Sequence, residues 1–232
     1  MKNLVITGAT SGVGLAVAKL FIKNGWCVVG IARNLTNLEL LKNELGEKFI
    51  PINVDISLPD SVSKAFDVIW SKVGCIDILV NNAAIFVARS FTELTIEETD
   101  QIIDVNLKGT IYCTFNAIKI ISPKGGRIIN IGSVAGEYGI RNQSIYCASK
   151  FGIDGFAEAL NQELLEKGIN ISTISPGGIN TPLWNQANPY PGGDTTKLLT
   201  AYDIAKLVEY ISQQPANVVL KKIIAFPSNE WH

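Results

Sequence analysis

Tyr146 and Lys150 stand four residues apart near the start of a stretch, 144–167, whose apolar spacing predicts a helix. A phenol and an ammonium then share one helix face, a turn apart, and that pairing suits proton transfer. A tyrosine with an ordinary pKa near ~10 is a poor proton shuttle at neutral pH, but a neighbouring positive charge favours the phenolate and lowers that value. Ser133 follows a β-branched run, 126–131, in Ile131-Gly132-Ser133-Val134-Ala135-Gly136. At the carboxyl end of a buried strand its hydroxyl is placed to donate to an oxygen on which charge develops. The alternative is a turn serine bonded to its own backbone. The run is not a nucleophile elbow, because Ile131 stands where Gly-x-Ser-x-Gly needs its first glycine. The single histidine is His232, the last of 232 residues, so Ser-His-Asp and Cys-His nucleophiles and histidine-containing zinc sites are not expected, and no metal is.

A second constellation lies near the start. The run Asn3-Leu4-Val5-Ile6-Thr7 reads as a strand and is followed at once by Gly8-Ala9-Thr10-Ser11-Gly12-Val13-Gly14, which opens a helix-period stretch. Glycines here allow a tight turn, a close backbone approach by a pyrophosphate and close helix–strand packing, with the helix N-terminal amides facing the phosphates. The Gly-Lys-Ser/Thr of a Walker loop is absent. About 18–20 residues further on, where an NAD enzyme places an acid for the ribose 2′-hydroxyl, the chain has Ala32-Arg33-Asn34, with no acid between Trp26 and Leu38. Arg33 suits a 2′-phosphate through charge-assisted bonds, so NADP(H) is expected in preference to NAD(H), which is still possible. The alternative is a solvated surface arginine.

These residues must be held by an alternating framework. Short β-branched runs at 3–7, 27–31, 49–54, 76–80, 126–131, 169–174 and 222–226 read as seven strands. Helix-period stretches at 13–24, 35–45, 59–73, 96–121, 144–167 and 202–213 lie between them, the fourth broken around 106–109. Strand, helix, strand in sequence means parallel strands with helical crossovers. Strands apolar on both faces, such as Ile76-Asp77-Ile78-Leu79-Val80, need helices on both sides. The expected fold is therefore α/β: a Rossmann-like, doubly wound, mainly parallel seven-stranded sheet flanked by helices, with 1–232 as one domain. A stretch rich in Pro, Gly and Asn, 182–200, interrupts the rhythm and reads as a substrate lid, or else as a plain surface loop.

Taken together, Thr7-Gly8-x-x-x-Gly12-x-Gly14, Asn81-Asn82-Ala83, Asn106-x-x-Gly109, Ser133, Tyr146-x-x-x-Lys150 and Pro176-Gly177 resemble, in order and spacing, the short single-domain branch of the short-chain dehydrogenase/reductase family. The resemblance covers nearly the whole chain. It implies an oxidoreductase interconverting a carbonyl and a secondary alcohol, with Tyr146 as general acid in reduction and base in oxidation. It further implies that Lys150 lowers the tyrosine pKa and holds the nicotinamide ribose, that Ser133 orients the carbonyl, and that Asn106 kinks its helix and positions a water of a proton relay. For the cofactor it implies Gly8, Thr10, Ser11, Gly12, Val13 and Gly14 at the phosphates, Arg33 and Asn34 at the adenosine ribose, Asp55 at the adenine, Asn82 and Ala83 beside the adenosine, and Pro176, Gly177, Ile179 and Thr181 around the nicotinamide and phosphates. Ala84 departs from the pattern by one methyl where the family often has glycine. Candidate substrates run from 3-oxoacyl thioesters to sugars, small ketones and aldehydes. A non-catalytic NADP(H)-binding sensor or scaffold is the rival reading, and an NAD-preferring alcohol dehydrogenase of the same family a second.

Composition narrows the partners. Apolar residues make up 47% and charged residues 18%, enough for a sizeable core, and the net charge of −1 gives no basic surface for nucleic acid or anionic lipid. Cys27, Cys75, Cys113 and Cys147 are scattered without a CxxC pair, which fits free thiols and a cytoplasmic location. No apolar run reaches the ~18–20 residues of a membrane span and no charged leader precedes the first strand. The resemblance implies a homo-oligomer, a dimer or tetramer, built on the helices carrying 106–121 and 144–167; Phe115, Phe151 and Phe156 either supply apolar contact there or face the core.

Overall fold

The structure is a computed structural model that describes residues 1–184, 189–190 and 193–230. Its strands are β1 (Asn3–Thr7), β2 (Cys27–Ala32), β3 (Phe49–Asn53), β4 (Ile78–Asn81), β5 (Gly126–Ile131), β6 (Ile169–Pro176), β7 (Ile179–Asn180), β8 (Leu199–Thr200) and β9 (Lys222–Ala225). Its helices are α1 (Gly12–Lys23), α2 (Leu35–Leu45), α3 (Pro59–Val73), α4 (Ile96–Ile102), α5 (Gly109–Ile120), α6 (Ser144–Leu164) and α7 (Ala201–Ser212). Seven strands pair in parallel in the order β3-β2-β1-β4-β5-β6-β9. This is the expected doubly wound sheet, and the strand order reverses direction between β1 and β4. Ligands of open α/β sheets bind in the crevice beyond the carboxyl ends at such a point.

Alternation along each strand divides the interior in two. Leu4 and Ile6 of β1 face a layer with Val17, Phe21, Ile204 and Val208 of α1 and α7. Val5 between them faces the opposite layer, with Val62, Phe66, Cys113 and Ala157 of α3, α5 and α6. Removing such side chains from water on both faces is what stabilises a parallel sheet. Arg127 of β5 is a buried polar exception: its guanidinium donates to the carbonyls of Gln214 (2.7 Å), Pro215 (2.9 Å) and Val218 (3.3 Å), pinning the segment that leads into β9.

Three elements differ from the sequence expectation. The strand expected at 76–80 pairs over Ile78–Asn81, while Ile76 makes a separate bridge to Ile121. The helix expected at 96–121 is α4 and α5 joined by a π-helical turn, Ile103–Lys108, which spans the anticipated break. Of the lid expected at 182–200, residues 185–188 and 191–192 lie outside the described residues, as does His232; β7 and β8 pair in parallel at the two roots of this excursion and are too short to leave a pattern. Among the described residues, no helix is long and apolar enough to cross a membrane.

The sharpest steric demand falls at the first turn. A Cβ on Gly14 would overlap the Gly8 carbonyl and come within 2.7 Å of Asn82 Nδ2. Gly14→Ala is therefore expected to destabilise the fold by roughly 1–3 kcal/mol through overpacking, read as a lower denaturant midpoint with an unchanged slope; an unaltered midpoint would mean that the turn yields freely.

Candidate active site

Gly8 and Gly12 adopt left-handed backbone conformations, φ +68° and +51°, that side chains disfavour. The turn they form is stapled from β4. Asn82 donates its side-chain amide to the carbonyls of Thr7 (2.9 Å) and Gly8 (3.3 Å), and the Thr7 hydroxyl accepts from the backbone amides of Asn82 and Ala83, both at 3.0 Å. At Ser11, the cap of α1, no side chain bonds the helix amides, so the positive end of a twelve-residue helix opens to whatever occupies the crevice. A Cβ at Gly12 would meet Thr181 at 3.3 Å, a tight contact that shows how closely the turn approaches the opposite wall.

The crevice is a cleft of about 790 Å³. Every site residue expected from the sequence lines it except Gly14, which sits behind the turn, and Asn106. At one end is Arg33, exposed and with no side-chain partner among the described residues. Its neighbour Asn34 uses Oδ1 to accept from the Asn37 amide at 2.9 Å as the cap of α2, and Asp55 Oδ1 accepts from the Ser57 amide and hydroxyl at 2.9 and 2.7 Å. These cleft-lining side chains thus serve the local backbone as well. Ala84 has an ordinary backbone, because Asn142 is the one described non-glycine residue with positive φ, and its methyl is accommodated without strain.

At the other end α6 presents Tyr146 and Lys150, 7% and 4% exposed. The lysine Nζ donates to the Ile131 carbonyl at 3.0 Å, at the last residue of β5, and lies 5.5 Å from the centre of the tyrosine ring. Ser133 stands near enough to the phenol to draw its pKa down, and its Oγ accepts from the Ala135 amide at 3.1 Å, the contact expected of a turn serine. Burial pushes the phenol up to about 12, with Ser133 pulling the other way. Burial also pulls the lysine down to about 8, opposed by the Asp154 carboxylate. Among the chain's own groups the phenol is thus raised rather than lowered, and the opposing pull comes from Ser133, not from the lysine to which the sequence reading assigned it.

Asn106 sits in the π turn, 1% exposed, and ties the segment after β4 to α6. Its Oδ1 accepts from the Ile85 amide at 2.8 Å; its Nδ2 donates to the Ile85 carbonyl at 3.0 Å and to Ser149 Oγ at 3.2 Å. Ser149 in turn donates to the Tyr146 carbonyl at 2.7 Å. The widened turn is what carries this side chain inward.

Sequence reasoning missed Phe86 and Glu230 in the wall, whereas Trp184 and Tyr190 belong to the stretch it read as a lid offering apolar contact. Phe86 meets Tyr146 edge to face at 4.9 Å between ring centres, Trp184 meets Phe86 at 5.2 Å, and Tyr190 meets Trp184 at 5.2 Å. Glu230 closes this wall from the far end of the chain: its carboxylate accepts from the Gly178 amide at 2.7 Å and from the Tyr190 hydroxyl. Only position relative to the Asn81-Asn82-Ala83 motif could have flagged Phe86, and nothing local marks Glu230. The charged residues lining the cleft are Arg33, Asp55, Lys150 and Glu230.

The sequence matches the short chain dehydrogenase family over residues 2–191. The chain belongs to that family. As a short-chain dehydrogenase it is an NAD(P)-dependent oxidoreductase, and its relatives agree. It is 34% identical over 236 residues to an uncharacterized oxidoreductase of Staphylococcus saprophyticus and 31% identical over 228 residues to one of Staphylococcus aureus, covering 97% of this chain and 97% of the relative in each case. Among solved structures it is similar to serine dehydrogenase from Escherichia coli (TM-score 0.85, 27% identity, 96% of each chain) and to the closed form of serine dehydrogenase complexed with NADP+ (TM-score 0.88, 27% identity, 99% of this chain and 96% of the other). The glycine cradle, the uncapped helix end and the paired phenol and ammonium of this short-chain dehydrogenase fit a nicotinamide dinucleotide.

Burying Lys150 sets a measurable stability term. Its value in the fold lies below that of the unfolded chain, so the ionised lysine opposes folding at low pH, and the penalty fades as pH rises from about 8 towards the unfolded value near ~10.4. Lys150→Met should therefore raise the thermal midpoint, with a gain that is full below pH 8 and shrinks towards pH 10; a gain independent of pH would contradict the assignment.

Proposed function

We propose that this enzyme is an NADP(H)-preferring carbonyl reductase that interconverts a ketone or aldehyde and its alcohol, with Tyr146 as the proton donor and acceptor. The observation that carries the reading is the meeting of a buried phenol, a hydroxyl and an ammonium at one end of the cleft whose other end holds the glycine turn. Bound NADPH would supply the hydride. Tyr146 delivers the matching proton to the carbonyl oxygen, or removes it from the alcohol in the reverse direction. Ser133 donates to the same oxygen as its charge grows, and Lys150 stabilises the phenolate left behind. Asn106 is assigned the inner end of a proton relay to solvent, by family resemblance.

Gly8, Thr10, Ser11, Gly12 and Val13 would hold the phosphates at the start of α1, with Gly14 keeping the turn tight. Asn34, Asp55, Asn82 and Ala83 would line the adenosine, and Pro176, Gly177, Ile179 and Thr181 the nicotinamide. The preference for NADP(H) rests on the unpaired guanidinium of Arg33 and the missing acid at the end of β2, and the NADP+ bound to a structural neighbour supports it. At the substrate end, the aromatic wall and Glu230 favour a neutral or amine-bearing compound over a carboxylate or phosphate, which among the described residues would find no cation there except Lys150. Residues 182–200 would close over this compound. Phe115 and Phe151, 63% and 46% exposed, support a homo-oligomer built on α5 and α6, and four free cysteines support a cytoplasmic enzyme.

The test is a panel of carbonyls and alcohols, neutral, amine-bearing and acidic, assayed with both cofactors at the nicotinamide absorbance. Tyr146→Phe should lower kcat by about 10²- to 10⁴-fold while NADPH binding by fluorescence is retained; near-normal turnover would overturn the role of the phenol. Arg33→Ala should raise KM for NADPH about tenfold or more, as expected for a lost charge-assisted contact, and leave KM for NADH almost unchanged. Equal effects on the two would remove the 2′-phosphate assignment.

A further inference from the structure

Three elements that carry the site meet at a charged cluster behind it. Asp154 stands on α6 one turn beyond Lys150 and two beyond Tyr146, so phenol, ammonium and carboxylate occupy positions i, i+4 and i+8 of a single face. The carboxylate is held from outside the helix. Lys222, the first residue of β9, lies 2.9 Å from Asp154 Oδ2 and 2.5 Å from Glu137 Oε1, and Glu137 follows directly on the turn Val134–Gly136 that begins at Ser133. The two carboxylate side chains are only 17% and 21% exposed, so this ion triad is far less screened than a surface pair. Steric fit brings the parts together: a Cβ on Gly136 would stand 2.7 Å from Asp154 Oδ2 and 3.2 Å from the backbone carbonyl group of Lys150.

We propose that Asp154 is a positioning residue for the reaction: Lys222, clamped between Glu137 and Asp154, fixes that carboxylate against α6 as the counter-charge that keeps Lys150 in its ammonium form. The inference rests on the reading of Tyr146 and Lys150 given above. Without a counter-charge, a lysine sealed from water sheds its proton, and a neutral amine holds no phenolate. Asp154 Oδ1 has no hydrogen-bond partner among the described residues, so the carboxylate is not wholly spent on Lys222. Burial raises the Asp154 carboxyl and the Lys222 ammonium pulls it back, which gives Lys222 a direct hand in how much charge Asp154 offers.

The surroundings contain few competing charges. On α6 itself the titratable neighbours are Tyr146, Cys147 and Glu158; the segment after β5 brings Glu137 and Tyr138, and β9 brings Lys221 and Lys222. Lys221 pairs with Glu158 at 3.7 Å. From the π turn, Asn106 and Leu107 face α6, while Asp104 and Lys108 pair with each other at 2.7 Å on the surface. β6 contributes no titratable residue, and Glu230 lies across the cleft, nearer Tyr138.

The experiment titrates Lys150 directly, by NMR of isotope-labelled lysine in the intact enzyme, in parallel with the pH profile of reductive kcat/KM. Asp154→Asn leaves Lys222 paired with Glu137, so no ammonium is orphaned. The lysine midpoint should fall by about one unit, as for loss of an opposite charge at close range, and the alkaline limb of the profile should move to lower pH with it. Asp154→Glu should restore both, and Asp154→Ser replaces the asparagine variant should that one not fold. Equal lysine midpoints and coincident limbs in wild type and variant would overturn the proposal, even with activity intact. Full turnover in Tyr146→Phe would instead overturn the reading beneath it, and the two failures are distinguishable because the NMR titration requires no turnover.

Discussion

The burial of a lysine amine, 4% exposed, at the end of the cleft is the constraint around which its surroundings are arranged. An isolated buried ammonium is strongly disfavoured, and in the proposal made above the compensation is distributed over three elements: a carbonyl at the end of β5, a carboxylate one turn further along α6, and a second lysine from β9 that anchors that carboxylate. Each anchor sits on a rigid strand or helix. The sheet order brings β5, β6 and β9 side by side and so delivers them to one place.

Much of this was legible in the sequence because it depends on local rules. Strand periodicity, glycines at a strand-to-helix turn and the four-residue spacing of Tyr146 and Lys150 each act within a dozen residues, and each needs only backbone geometry to have its effect. The direction of the Tyr146 shift was not legible, since it is decided by how much protein surrounds the phenol rather than by which residues adjoin it in sequence. Nor were Phe86, Glu230 or the Glu137–Lys222–Asp154 cluster, whose members come together from segments far apart in the sequence through tertiary folding alone. The pair β7–β8, with two residues in each strand, falls below the length at which alternation can register.

The π turn at Ile103–Lys108 illustrates how one irregularity joins fold to chemistry. A regular helix there would present a different face to α6; the wider turn presents Asn106 to the backbone of Ile85 and to Ser149, so that the loop beyond β4 and the helix of the tyrosine are referenced to one amide. Gly109, just beyond, lets Ile56 approach to within 2.8 Å of where a side chain would begin. The widened turn and the position without a side chain therefore serve the same alignment.

The wall formed by Phe86, Trp184, Tyr190 and Glu230 has a different origin from the rest of the site. Its members come from a loop, the excursion between β7 and β8, and the tail after β9, whereas the paired phenol and ammonium and the glycine turn belong to strands, helices and the turns between them. Of its members Phe86 packs directly on Tyr146, while Trp184, Tyr190 and Glu230 stack outward from it. A change in one of those outer three therefore redraws the mouth of the cleft first and reaches the phenol through the Phe86 ring.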